Sequence, residues 1–145
     1  MTIDTLVRKV RKNSPQADIK IIREAYRFAE KRHDGQLRKT GEAYIQHPLY
    51  VATFLARFNF NTATFVAAIL HDVAEDTETK LGTIEKKFGK EVVQIVRGLT
   101  KLKQIKGSLS DASMEDYSAE NLRKFFLATA ADIRVVLIKL ADRLH

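Results

Sequence analysis

Residues 62–76, TATFVAAILHDVAED, restrict this chain more than any other stretch. Their first nine positions are apolar or small almost without interruption, the pattern of a helix packed on more than one side. At about 100° per residue, Val66, Ile69, Leu70 and Val73 share one face, and Ala68, His71, Asp72 and Glu75 share the opposite one. His71 and Glu75 stand one turn apart, as do Asp72 and Asp76, so two polar pairs crowd the end of one helix. The chain carries 25 Lys and Arg among 145 residues, yet none falls between Phe58 and Thr79. Acceptors gathered in such a place repel one another unless a proton or a metal ion sits among them. The stretch predicts a buried helix with a cation site at its end.

A His-Asp dipeptide taken alone more often closes a helix, its imidazole near the last carbonyls. Two further segments shift the balance. In IRVVLIKLADRLH, Ile133, Val136, Leu137, Leu140 and Leu144 lie on one helical face, while Val135, Ile138 and Asp142 line up on another. Asp142 thus ends an apolar stripe, where a carboxylate needs an Arg, a Lys or a metal. A pair with Lys139 or a neighbouring Arg within the helix is the plainer alternative. In GEAYIQHPLYVATFLARF, Pro48 suits the first position of a helix running through Val51, Phe54, Leu55 and Phe58. His47 then falls at the N-cap or just before it, as a neutral ligand or as a capping or loop residue.

Together His47, His71, Asp72 and Asp142 offer two imidazoles and two carboxylates from three helices far apart in sequence. Nitrogen and oxygen donors without thiolate suit Mn²⁺, Fe²⁺, Zn²⁺ or Mg²⁺ and exclude a cysteine-type structural zinc site. Four protein ligands on a six-coordinate ion leave positions open, which implies catalysis on a water or a substrate oxygen. Upstream, Gly35 and Gly41 bracket Arg38, Lys39 and Thr40, a loop whose cations and amides can face an anion. His33 closes the run IIREAYRFAEKRH and is read as a helix-end histidine, outside the metal set.

RHDGQLRKTGEAYIQHP, HDVAEDT and DIRVVLIKLADRLH closely resemble three motifs of the hydrolase domain of the Rel/SpoT alarmone enzymes, within the HD phosphohydrolase superfamily. The likeness runs from about Ala17 to His145 with the motifs in the same order. It implies an all-α HD-domain bundle with the metal site between helices. It also implies hydrolysis of the 3′ pyrophosphate of guanosine tetra- or pentaphosphate, (p)ppGpp, to GDP or GTP and pyrophosphate, with one Mn²⁺ as the usual ion. By this resemblance His47, His71, Asp72 and Asp142 are the metal ligands, and Glu75 and Asp76 the acidic pair that activates the attacking water. Arg38 and Lys39, with Thr40 beside them, lie near the substrate phosphates and guanine. Thr40 replaces a more usual serine and Ala43 a proline, changes that remove no charge and no ligand. The alternatives are an HD phosphohydrolase acting on another nucleotide, or a non-catalytic regulatory domain of an alarmone synthetase.

With 45% hydrophobic residues the chain is long enough for one domain with a real core and too short for two. It holds no Cys, so disulfides are excluded and a cytoplasmic setting is compatible. No uncharged apolar run approaches the length of a membrane span. The net charge of +7 is dispersed through RKVRK, RFAEKR, EKKFGK and KLKQIK with acids interleaved in most of them, which disfavours a nucleic-acid surface. A polyanionic nucleotide accounts for the rest.

The expected helices run from about Thr5 to Arg11, from Asp18 to Arg32, after His47, from Thr62, over Leu81 to Phe88 with Thr83 as cap and Gly89 as stop, from Val92 to Leu99, from Glu120 to Ala130, and from Asp132 to His145. Gln104 to Tyr117 reads as a loop, a regulatory element if the resemblance extends to it. Because family members continue past LADRLH, residues 1–145 are expected to be an N-terminal fragment of a longer enzyme. Its metal site would be complete and its guanosine pocket incomplete, with weak or absent turnover in the fragment and full turnover in the parent protein. Any ribosome contact of the parent enzyme is expected through regions beyond such a fragment.

Overall fold

In the computed structural model, residues 1–110 and 132–145 are described, residues 103–110 by backbone alone. The described elements are all α: α1 Ile3–Asn13, α2 Ile19–Arg32, α3 Gln46–Leu55, α4 Thr62–Leu70, α5 Val73–Asp76, α6 Leu81–Phe88, α7 Lys90–Ser110 and α8 Ile133–Leu144. The sole extended pairing among them is one antiparallel bridge, Leu37 to Ala43.

α4 is the axis of the bundle. It packs against α2, α3 and α7, and every residue from Thr64 to Val73 is buried. Its start is set by Asn61, whose side chain accepts from the Thr64 N–H at 3.2 Å. Phe65, Ile69 and Leu70 are wholly enclosed, each contributing about 1.5–3 kcal/mol of transfer free energy. A helix so surrounded has no freedom to slide, and its C-terminal residues are delivered to one fixed point.

The expected single helix through HDVAED is interrupted there. The regular ladder ends at Leu70 and resumes at Val73, although His71 and Asp72 keep right-handed helical dihedrals. The His71 ring competes for the backbone, its Nδ1 donating to the Ala68 carbonyl at 2.6 Å. His47 also sits differently from its expected cap position. α3 begins at Gln46, so His47 and Pro48 both occupy its first turn, where a missing proline N–H costs nothing.

α2 matches its expected span and α1 begins two residues before its own, with Thr2 and Asp18 as N-caps. The joint between them is tied to the α3–α4 joint by Asn13 donating to the Ala56 carbonyl at 2.8 Å and Ser14 donating to the Phe58 carbonyl at 3.1 Å. α6 is stopped by Gly89 as expected, but Thr83 lies inside it and Lys80 is the N-cap residue. Leu81 and Ile84 pull the helix start back onto the core. α7 extends well past Leu99, so Gln104–Ser110 is helix and not loop. Once the packed turns through Leu102 nucleate the ladder, each further residue adds a bond at little cost. The rest of that expected loop, and the expected helix from Glu120 to Ala130, lie outside the described residues.

α8 packs against α3 and α7. Gly98 of α7 permits the approach, because a Cβ there would stand 2.7 Å from Val135 Cγ2. Val135, Ile138 and Ala141 are the buried face of α8, while Ile133, Leu140 and Leu144 are exposed among the described residues. The buried stripe is therefore the one that leads to Asp142.

Candidate metal centre and active site

Three helices deliver the predicted ligands to one place. His47 comes from the first turn of α3, His71 and Asp72 from the joint between α4 and α5, and Asp142 from the last turn of α8. His47 Nε2 lies 2.5 Å from Asp142 Oδ1 and 3.9 Å from Asp72 Oδ2. His71 Nε2 lies 3.1 Å from Asp72 Oδ2 and 3.7 Å from Asp142 Oδ1. Two ligands bonded at about 2.1 Å to one ion stand at most about 4.2 Å apart, so all four separations are within the reach of a single cation. Donor atoms, one each from His47, His71 and Asp142, lie within 4.8 Å of one another.

The decisive atom is His71 Nε2. With Nδ1 bound to the Ala68 carbonyl, Nε2 is buried and has no hydrogen-bond partner. Asp72 Oδ2 is near enough for charge attraction but lies outside hydrogen-bond geometry. An orphaned imidazole nitrogen aimed among carboxylate oxygens costs free energy unless something occupies the centre. Two imidazoles and two carboxylates fit a divalent ion of the borderline or hard kind.

Electrostatics agree. Burial lowers the proton affinity of His71, but the Asp72 carboxylate overrides it and pushes the imidazole up to about 10. Burial opposes ionisation of Asp72, while the adjacent His71 charge and the Tyr44 hydroxyl hold it down at about 2. Asp142 is likewise penalised by burial, yet hydrogen bonds from His47 and Lys139, with the nearby His71 charge, hold it well below the usual carboxylate range. The cluster thus favours positive charge at its centre, whether carried by a His71 proton or by a cation. Lys139 Nζ reaches Asp142 Oδ2 at 2.9 Å, leaving Oδ1 for the cluster, so the intrahelical pair and the cluster coexist.

The cluster forms the floor of a cavity of about 280 Å³, whose walls include Glu75 and Asp76 of α5. Arg38 reaches the residues around the cluster through His145, its NH1 2.8 Å from His145 Nδ1. Lys39 and Thr40 are exposed on the same loop. Gly35 and Gly41 carry φ of +80° and +88°, a region costly for side-chain-bearing residues, so the two glycines set the loop's reversals.

Two residues at the site escaped the reading of the sequence. Tyr44 places its hydroxyl 2.8 Å from Asp72 Oδ2 and 3.0 Å from Asp76 Oδ2. Burial first, and then the Asp72 charge, push this phenol far above its usual range, so it stays a donor. His145 meets His47 Nδ1 through its own Nδ1 at 2.9 Å, the two rings inclined by only 9°, and stacks on Tyr50 at 4.1 Å. Such a partner on the outer nitrogen orients a ligand imidazole. The available signal was spacing: Tyr44 is three residues before His47, and His145 three after Asp142.

Residues 25–145 match the HD domain family, and the chain belongs to it. Among curated proteins it is 47% identical over 131 residues to a GTP pyrophosphokinase of Myxococcus xanthus, which covers 90% of this chain and 17% of that protein. It is 45% identical over 131 residues to the bifunctional (p)ppGpp synthase/hydrolase SpoT of Escherichia coli K12, covering 90% of this chain and 18% of that one. A solved structure described as "A metazoan ortholog of SpoT hydrolyzes ppGpp and plays a role in starvation responses" superposes with a TM-score of 0.63 at 31% identity, over 86% of this chain and 66% of the other. Within the HD family the chain is therefore an HD domain of the Rel/SpoT type. It spans less than a fifth of the length of these curated relatives. No described helix is long and apolar enough to cross a membrane.

Proposed function

We propose that this domain is a (p)ppGpp 3′-pyrophosphohydrolase that works with one divalent ion, Mn²⁺ foremost, held by His47, His71, Asp72 and Asp142. The observation that carries this reading is the buried, unpartnered His71 Nε2 facing Asp72 and Asp142 across the cluster. The (p)ppGpp chemistry named for the SpoT relatives supports the choice of substrate.

When bound, the ion supplies Lewis acidity and makes water acidic enough to attack near neutral pH. The side chains do the rest. Glu75 or Asp76, on the cavity wall, accepts the proton of the attacking water. Arg38, Lys39 and Thr40 hold the phosphates and offset their charge as the water oxygen bonds to phosphorus and the bond to the 3′ oxygen breaks. The departing 3′ oxygen takes its proton from solvent, and pyrophosphate leaves.

The test is incubation of the full-length protein that carries this domain with ppGpp and Mn²⁺, following pyrophosphate and GDP. Activity should vanish with EDTA and fall more than about 100-fold in Asp72→Ala, since even the outer partners of metal ligands are worth 10–100-fold. Absence of pyrophosphate release, or equal release from GTP and ppGpp, ends the proposal in favour of another nucleotide.

A further inference from the structure

The loop bearing Arg38, Lys39 and Thr40 is fastened to the turn bearing Asp76 at two points. Gln36 Nε2 donates to the Asp76 carbonyl at 2.9 Å, and the Tyr44 hydroxyl meets the Asp76 carboxylate at 3.0 Å. Gln36 and Tyr44 are themselves joined across the loop. The Tyr44 N–H donates to the Gln36 carbonyl at 3.0 Å, and the adjacent Leu37–Ala43 bridge closes the loop. His33 braces both, its Nδ1 3.0 Å from Gln36 Oε1 and its ring centroid 4.8 Å from that of Tyr44. His33 is only 2% exposed, so this brace is held by the core at the end of α2. The same Tyr44 hydroxyl lies 2.8 Å from Asp72 Oδ2. One phenol therefore touches a proposed metal ligand and a proposed proton acceptor, and hangs from the loop proposed to hold the substrate.

We propose that Tyr44 is a positioning residue that sets Asp72 and Asp76 relative to each other and couples their placement to the 33–44 loop. The inference rests on the reading of the centre given above and deepens it. Without the hydroxyl, the exposed Asp76 carboxylate loses its Tyr44 donor, and the residue is placed through its backbone, by Gln36 Nε2 on its carbonyl and by its N–H on the Asp72 carbonyl. Asp72 loses one of the donors that fix its orientation, and a ligand carboxylate free to rotate binds an ion less well.

Tyr44→Phe is the test, because it keeps the ring against His33 and removes only the oxygen. Circular dichroism establishes that the variant is folded, and Tyr26→Phe, a partly buried tyrosine away from the cluster, serves as control. Mn²⁺ affinity is read by electron paramagnetic resonance without nucleotide, and kcat and KM are read with ppGpp. We expect Mn²⁺ binding and kcat to weaken by about 10- to 100-fold with KM for ppGpp within twofold. A folded variant with Mn²⁺ affinity and kcat both within twofold of wild type overturns the inference and leaves the proposed function standing. A wild-type protein inert toward ppGpp, together with a variant weakened in Mn²⁺ binding, overturns the function and sustains the role of Tyr44.

Discussion

At the scale of single residues, a cation at the proposed centre would compete with a proton for His71. The folded protein raises this imidazole to about 10 from an ordinary value of about 6.5. In the ion-free protein the protonated pair with Asp72 therefore adds stability that is complete below about pH 6.5 and is lost as pH rises through about 10. Metal binding has the opposite dependence, because it must expel that proton. Mn²⁺ affinity measured by titration calorimetry should rise steadily from pH 6.5 to 9, with proton release to the buffer, and a flat profile would remove His71 from the ligand set. His145→Ala should weaken binding by about 10-fold by freeing the outer nitrogen of His47, and His145→Gln should restore part of it. The convergence of His47, His71, Asp72 and Asp142 was legible in the sequence because polar residues beside apolar helical stripes stand out. Tyr44 and His145 were not, since a tyrosine between an alanine and an isoleucine and a histidine after a leucine look like any others until distances are known.

Among the elements, α8 is the one on which the centre depends most, because Asp142 alone comes from the far end of the chain. Its docking rests on Gly98, where a Cβ would meet Val135 at 2.7 Å. Gly98→Ala gains up to about 1 kcal/mol of helix propensity but overpacks a buried contact at about 1–3 kcal/mol. We expect a net loss in thermal stability together with weaker Mn²⁺ binding, both measurable on the same sample. The start of α8 is held by Asp132, which accepts from the Arg134 N–H at 2.9 Å and pairs with its guanidinium at 2.7 Å. Hydrogen bonds from Arg134 hold the carboxyl of Asp132 below its usual range, and they do the same for Glu91. That contribution is present above about pH 4 and disappears as pH falls through the depressed values. Asp132→Ala should cost about 1 kcal/mol at pH 7 and progressively less in acid, as followed by thermal melts across pH. Element types were readable from periodicity, and the starts of α2 and α4 to within a residue, while α1 begins two residues before its expected start. Which face of α8 turns inward was not, because both of its stripes are apolar and only tertiary packing chooses. The break at His71 was hidden for a related reason, since it arises from one side chain bonding to its own backbone.

For the whole molecule, the ion and the fold should stabilise one another. Any cation that binds the folded chain and not the unfolded one adds RT ln(1 + [L]/Kd), about 2.7 kcal/mol at a hundredfold excess over Kd. Mn²⁺ should therefore raise the melting temperature by several degrees at pH 8 and by less at pH 6.5, with EDTA reversing the gain. Asp142 and His47 stand 95 residues apart in sequence. A cation clasping them would ring-close most of the polypeptide, as a cross-link does, by limiting how far the denatured coil can spread. Withdrawing it should thus release the C-terminal helix before the central one, so that in deuterium-exchange measurements amides of Ile133–Leu144 lose protection on chelation while those of Thr62–Leu70 keep theirs. The catalytic cation would then double as the buckle of the fold, and cellular supply of metal would govern the lifetime of the protein as well as its turnover.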